Sequence, residues 1–178
     1  MFDAEMFITE GFRTAIRFKT PVFLVDYWKG RETKAPLGAK DFAEAIEYIN
    51  NNSSKFGIHK NHIAVGGAGA GGWVVLGAML QLIKRNNIDI VDTAFYISPI
   101  VDDVLGRTED KSLALWEEKW KSYSTGFFEM MANDIDKQSN DSNLYPLRGT
   151  KAELKKMPPS VIFTAEFDYL HRDAEMLR

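Results

Sequence analysis

The chain has 178 residues, 45% hydrophobic and 26% charged, which fits one folded domain and excludes a disordered, collagen-like or disulfide-stapled chain. The 22 Lys and Arg against 25 Asp and Glu leave a net charge of −3, too little positive field for a broad nucleic-acid surface. There is no cysteine, which excludes thiolate chemistry and Cys-ligated metals, and only three histidines are present: His59, His62 and His171.

Asp3, Glu5 and Glu10 interrupt the first ten residues, so no basic stretch leads into an apolar one as in a secretory signal. A cytoplasmic location is the expectation. Phe7, Ile8, Phe12, Ala15 and Ile16 recur at helical spacing and predict a helix. Pro21 to Tyr27 is an apolar run opened by proline and closed by a charge, as in a strand buried on both faces of a parallel sheet. Two glycines, a proline and several charges make Trp28 to Lys40 a loop. Phe42, Ala45, Ile46 and Ile49 then share one face of a helix over Asp41 to Asn50.

Ile63 to Ile83 runs 21 residues without a charge, long enough to suggest a membrane span. Six of them are glycine, five between Gly66 and Gly72. A strand at Ile63 to Gly66, a glycine turn and an apolar helix over Ala70 to Arg85 account for it better, and no membrane span is expected. Thr93 to Ile97 is a third strand, stopped by Ser98-Pro99, and Val161 to Thr164 a fourth, entered through Pro158-Pro159. Strands alternating with helices predict an α/β fold, with a mostly parallel sheet flanked by helices. Between the last two strands lies a long insertion, about 101–157. Its Trp116, Trp120, Tyr123 and Phe127 form an aromatic stripe at helical spacing, either packed on the core or belonging to a helical cap over a cleft.

The turn Gly66-Gly67-Ala68-Gly69-Ala70-Gly71-Gly72 admits three readings. Gly67, Gly69 and Gly72 satisfy the G-x-G-x-x-G dinucleotide spacing, but no acidic residue ends the next strand as that site requires. Gly67, Gly69 and Gly71 frame a G-x-S-x-G nucleophile elbow in which the serine is glycine. The third reading is structural: glycine serves any tight strand-to-helix turn.

The flanking blocks favour the second. Val25-Asp26-Tyr27, Phe56-Gly57-Ile58 running to Ile63-Ala64-Val65-Gly66-Gly67, Ile97-Ser98-Pro99 with Asp102, and Met157-Pro158-Pro159 running to Thr164-Ala165-Glu166-Phe167-Asp168 occur in order. Together these collinear blocks resemble the hormone-sensitive-lipase and arylacetamide-deacetylase branch of the α/β-hydrolases. The resemblance implies a carboxylic ester hydrolase with a Ser–Asp–His triad and an HGGG loop, needing no cofactor and no metal. Carried over by position, Gly69 takes the place of the nucleophile, Ala70 supplies an oxyanion-hole backbone N–H, and Asp168 is the triad acid. Neither an HGGG loop before Pro21 nor a histidine after His171 occurs in the residues given.

The resulting expectation is a single truncated α/β-hydrolase-like domain over 1–178 with a cap-like insertion at about 101–157. It would be catalytically inactive as given, with Gly69 and Asp168 vestigial and Ala70 still offering its backbone N–H. The alternatives are a binding module using the remnant acyl cleft or exposed sheet edges, and an incomplete gene product of an active esterase. The expected partners are a small hydrophobic acyl ligand and a second copy joined through unpaired sheet edges. The Pro21 strand would either close up against the Ile63 strand, giving four parallel strands, or leave edges unpaired. Ser98 is the best alternative hydroxyl, with a turn role before Pro99 as its plainer reading. His171 would be a surface histidine, and His59 and His62 would lie at the far end of the sheet.

Overall fold

A computed structural model describes residues 4–28, 33–101, 126–168 and 170–178. A short 3-10 turn at Ala4–Phe7 leads into α1 (Ile8–Phe18), which closes on Lys19 in the left-handed conformation. Residues 21–28 belong to no helix or strand. Helix α2 (Leu37–Asn51) and the single-turn α3 (Ser53–Phe56) precede β1 (Ile63–Ala68). Helix α4 (Ala70–Lys84) follows β1 directly, and then comes β2 (Val91–Ile97). The described remainder holds a helical segment at 126–131, the short α5 (Lys151–Leu154), β3 (Ser160–Phe163) and α6 (His171–Met176).

The strands form one parallel sheet in the order β1-β2-β3. This bears out the α/β class and three of the four expected strands. The Pro21 run is corrected: residues 21–28 form no strand and join no ladder. Their contacts lie elsewhere. Phe23 meets Phe56 edge-on at 5.0 Å, and the Trp28 amide donates to Asp41 Oδ2 at 3.1 Å. Leu24 packs against Gly11 of α1, and the Tyr27 ring against Gly38 of α2. An apolar run adopts extended backbone readily, but it becomes a strand only where a partner edge receives it.

Alternation divides the sheet into two unlike faces. Val65, Ala94, Tyr96 and Ile162 point to one, where Val75, Met79 and Leu82 of α4 and Ala43 and Ile46 of α2 complete a core. Helix α4 is apolar nearly all round and is buried from Gly72 to Ile83, as such helices must be. Its other side carries a second cluster: Trp73 meets Phe127 edge-on at 5.4 Å and donates its indole N–H to the Leu144 carbonyl at 2.7 Å. Phe127, one member of the aromatic stripe, is thus a core residue. Trp116, Trp120 and Tyr123, with residues 102–125 of the expected cap, lie outside the described residues. No helix among the described residues is long and apolar enough to cross a membrane.

The loop before β1 is held to α2 by a side-chain clasp. Asn50 Oδ1 accepts the Asn61 amide at 2.7 Å, and Asn50 Nδ2 donates to Asn61 Oδ1 at 3.1 Å. This clasp satisfies the buried Asn50 and sets where β1 begins.

Candidate functional site

Parallel strands deliver their C-terminal ends to one side of the sheet, which is where open α/β sheets place their sites. Ala68, Ile97 and Phe163 lie in one row across the three strands. The next residue of each chain segment is Gly69, Ser98 or Thr164.

Gly69 makes the turn from β1 into α4 with φ 53° and ψ −119°. A non-glycine residue is strained there. Three hydrogen bonds clamp this peptide. The Gly69 amide donates to the Ile97 carbonyl at 3.0 Å, and its carbonyl accepts from Trp73 at 3.3 Å and from Ile100 at 3.1 Å. Gly67 and Gly72 are there for space. A Cβ on Gly67 would fall 2.4 Å from the backbone of Gly71, and one on Gly72 would fall 2.7 Å from Pro99 Cβ. A Cβ on Gly69 would meet nothing within 4 Å. The tight positions thus frame the turn, and the turn's apex is open. Ala70 begins α4, in the turn where helix N–H groups have no intrahelical acceptor.

Ser98 also has positive φ, 42°, and its amide donates to the Phe163 carbonyl at 2.8 Å. The two residues flanking Ser98-Pro99 are the ones bonded to Gly69, so this loop wraps the elbow. Ser98 Oγ donates to Asp168 Oδ2. Asp168 Oδ1 accepts the Leu170 amide at 2.9 Å, and the Asp168 carbonyl accepts the His171 amide at 2.9 Å. Gly69, Ser98 and Asp168 therefore form one connected group at the strand ends.

The imidazole rings of the histidines are engaged elsewhere. His171 opens α6, with Nδ1 3.4 Å from Thr164 Oγ1 and Nε2 3.3 Å from Glu175 Oε1. His62 pairs with the Asp92 carboxylate at 2.8 Å, and its ring lies 6.2 Å from that of His59, both before the N-terminal end of β1. Among the described residues no group of three or more His, Cys, Asp or Glu could hold a metal ion. The link from Ser98 to Asp168 was not legible in the sequence. The one hint was a serine placed directly after a buried strand.

The alpha/beta hydrolase fold family matches residues 11–178. The chain belongs to that family. It is 28% identical to an arylesterase of Saccharolobus solfataricus over 162 residues, covering 86% of this chain and 49% of that protein. Its fold is similar to that of an esterase of Rhizomucor miehei, with a TM-score of 0.74 at 23% identity, covering 86% of this chain and 50% of that one. It is also similar to that of an esterase of Pseudomonas putida, with a TM-score of 0.70 at 22% identity, covering 85% and 47%. At such identities the structural likenesses establish the shared α/β-hydrolase fold. The chain spans about half the length of the relatives it matches.

Proposed function

We propose that this α/β-hydrolase chain descends from carboxylic ester hydrolases and no longer cleaves esters through its elbow. The observation that carries the reading is Gly69. It holds an elbow's backbone conformation, with an open apex, at the place where the resemblance puts a serine. An esterase of this type needs a hydroxyl there to attack the carbonyl carbon, with an imidazole to take its proton. Gly69 carries no such atom. Removing the nucleophile alone costs a serine hydrolase about 10⁶ in kcat.

What the neighbouring residues can still do is bind. Ala70 is the position to which the resemblance gives an oxyanion-hole N–H, and Asp168 the position to which it gives the triad acid. Asp168 is engaged by Ser98, not by an imidazole. In this reading a small hydrophobic acyl ligand occupies the remnant cleft without being hydrolysed, and the open edges of the sheet are surfaces for a second copy.

The test is an activity-based fluorophosphonate probe together with a p-nitrophenyl ester assay on the purified chain. The expected result is no covalent adduct and no turnover above buffer, with a thermal shift on adding a medium-chain fatty acid. Stoichiometric labelling by the probe overturns the reading.

A further inference from the structure

At the end of β3 a hydroxyl, an imidazole and a carboxylate are linked in succession. Thr164 directly follows the strand. Two consecutive turns then reverse the chain: the Asp168 amide donates to the Ala165 carbonyl at 3.0 Å, and the His171 amide to the Asp168 carbonyl at 2.9 Å. The reversal brings α6 back to the strand end, with His171 Nδ1 3.4 Å from Thr164 Oγ1. Across the ring, Nε2 lies 3.3 Å from Glu175 Oε1, one turn further along α6.

The two contacts set the ring's tautomer. A carboxylate only accepts, so Nε2 carries the proton, and Nδ1 is left with its lone pair toward the threonine hydroxyl. A hydroxyl within reach of a basic nitrogen, on a ring oriented by a third group, is the general arrangement of an activated oxygen nucleophile. Such contacts are often loose until substrate binds.

We propose that Thr164 is an acyl acceptor: with His171 as its base and Glu175 positioning the ring, its hydroxyl takes the acyl group of an activated carboxylic ester, an aryl ester or a thioester. Thr164 Oγ1 attacks the carbonyl carbon and forms the new C–O bond while its proton passes to His171 Nδ1. The tetrahedral intermediate collapses, the bond to the aryl oxygen or the sulfur breaks, and a phenolate or thiolate leaves with the electron pair. The imidazolium, held against the Glu175 carboxylate, returns its proton to solvent.

The acyl group then stays on Thr164. The backbone N–H groups at the start of α4 belong to the Gly69 turn, which follows β1, two strands away from Thr164. Without such donors a tetrahedral intermediate is poorly stabilised. The transfer is therefore slow and single, not a turnover, and a fluorophosphonate, which relies on the same donors, does not label this residue. No atom of the elbow takes part, so this proposal and the proposed function can each fail alone.

The experiment incubates the purified chain with p-nitrophenyl acetate and follows intact mass, peptide mapping and the effect of hydroxylamine, which removes acyl groups from hydroxyls and leaves those on lysines. One hydroxylamine-labile acetyl per chain is expected, on Thr164. Thr164→Val should abolish it. His171→Gln should slow it by about 100-fold or more, the usual share of a general base. Glu175→Gln should slow it by less, with Glu175→Asp restoring part of that loss, which a merely structural role for the side chain would not produce. These side chains are exposed or half-buried, so the far-UV circular dichroism should be unchanged in every variant. Three results overturn the proposal. They are a chain with no hydroxylamine-labile acetyl, such an acetyl carried by a residue other than Thr164, and acetylation of Thr164 at the parent's rate in His171→Gln or Glu175→Gln.

Discussion

Helices α1 and α4 are both rich in apolar residues, yet one buries nothing and the other nearly everything. The difference is not one of propensity. Helix α4 leaves β1 through a three-bond clamp at Gly69 and is committed to the sheet from its first residue. Helix α1 is followed by a segment, residues 21–28, that is tied to α2 and α3. An apolar stripe says that a helix wants a partner. The connection at its end decides whether it gets one.

Substitutions along the two regions sharpen this contrast. The largest effect is expected in α4: Leu82→Ala should cost about 2–5 kcal/mol, because Leu82 is fully buried between sheet and α2. Urea denaturation measures it, and a loss under about 1 kcal/mol would mean that α4 is not the core. Next comes the frame of the elbow. Gly67→Ala should cost about 3 kcal/mol, since the new methyl collides with the Gly71 backbone, which cannot rotate away.

The apex should be gentler. Gly69→Ser is expected to cost about 1–2 kcal/mol from backbone strain alone, because its side chain enters open space. It should restore no ester turnover, as Asp168 is held by Ser98 and His171 faces Thr164 and Glu175. Ester hydrolysis by this variant would show that another imidazole reaches the elbow. On α1, Phe12→Ala should stay within about 0.5 kcal/mol, because Phe12 is largely exposed, against the multi-kilocalorie loss at Leu82.

The smallest effect concerns pH. In the capping box of α5, Glu153 accepts from the Thr150 hydroxyl and amide, each at 2.8 Å, and these bonds hold its carboxyl below the ordinary glutamate range. A carboxyl whose folded value is lowered adds stability above its ordinary value and loses it as the group protonates. The cap should therefore weaken as pH falls below the ordinary 4.5. Comparing Tm against pH for the parent and Glu153→Gln checks this: the acid-side decline should be slightly shallower in the variant.

Much of the architecture was legible because it is local. Periodicity located α1, α2 and α4, and short apolar runs located β1, β2 and β3. Two boundaries moved for physical reasons. Strand β1 continues through Gly66, Gly67 and Ala68, since a ladder needs backbone and not side chains, and the Phe95 ring fills the space over Gly66. Residues 21–28 have a strand's composition without its partner, and no local pattern encodes a missing neighbour. The glycine at the apex was plain from the motif. The serine holding Asp168 was not, because the two residues are 70 positions apart and meet only when β2 and β3 pair.

The clamp around Gly69 has one more consequence. The amide of Gly69 points into the Ile97 carbonyl, and its own carbonyl is engaged twice, so this residue is tied at once to the end of β2, the first turn of α4 and the loop at Ile100. Its hydrogen should exchange with solvent at the slow rate of whole-molecule unfolding, although it sits at the mouth of a site. The shape of this corner is thus inherited from its surroundings and would outlast any exchange of the residue standing in it.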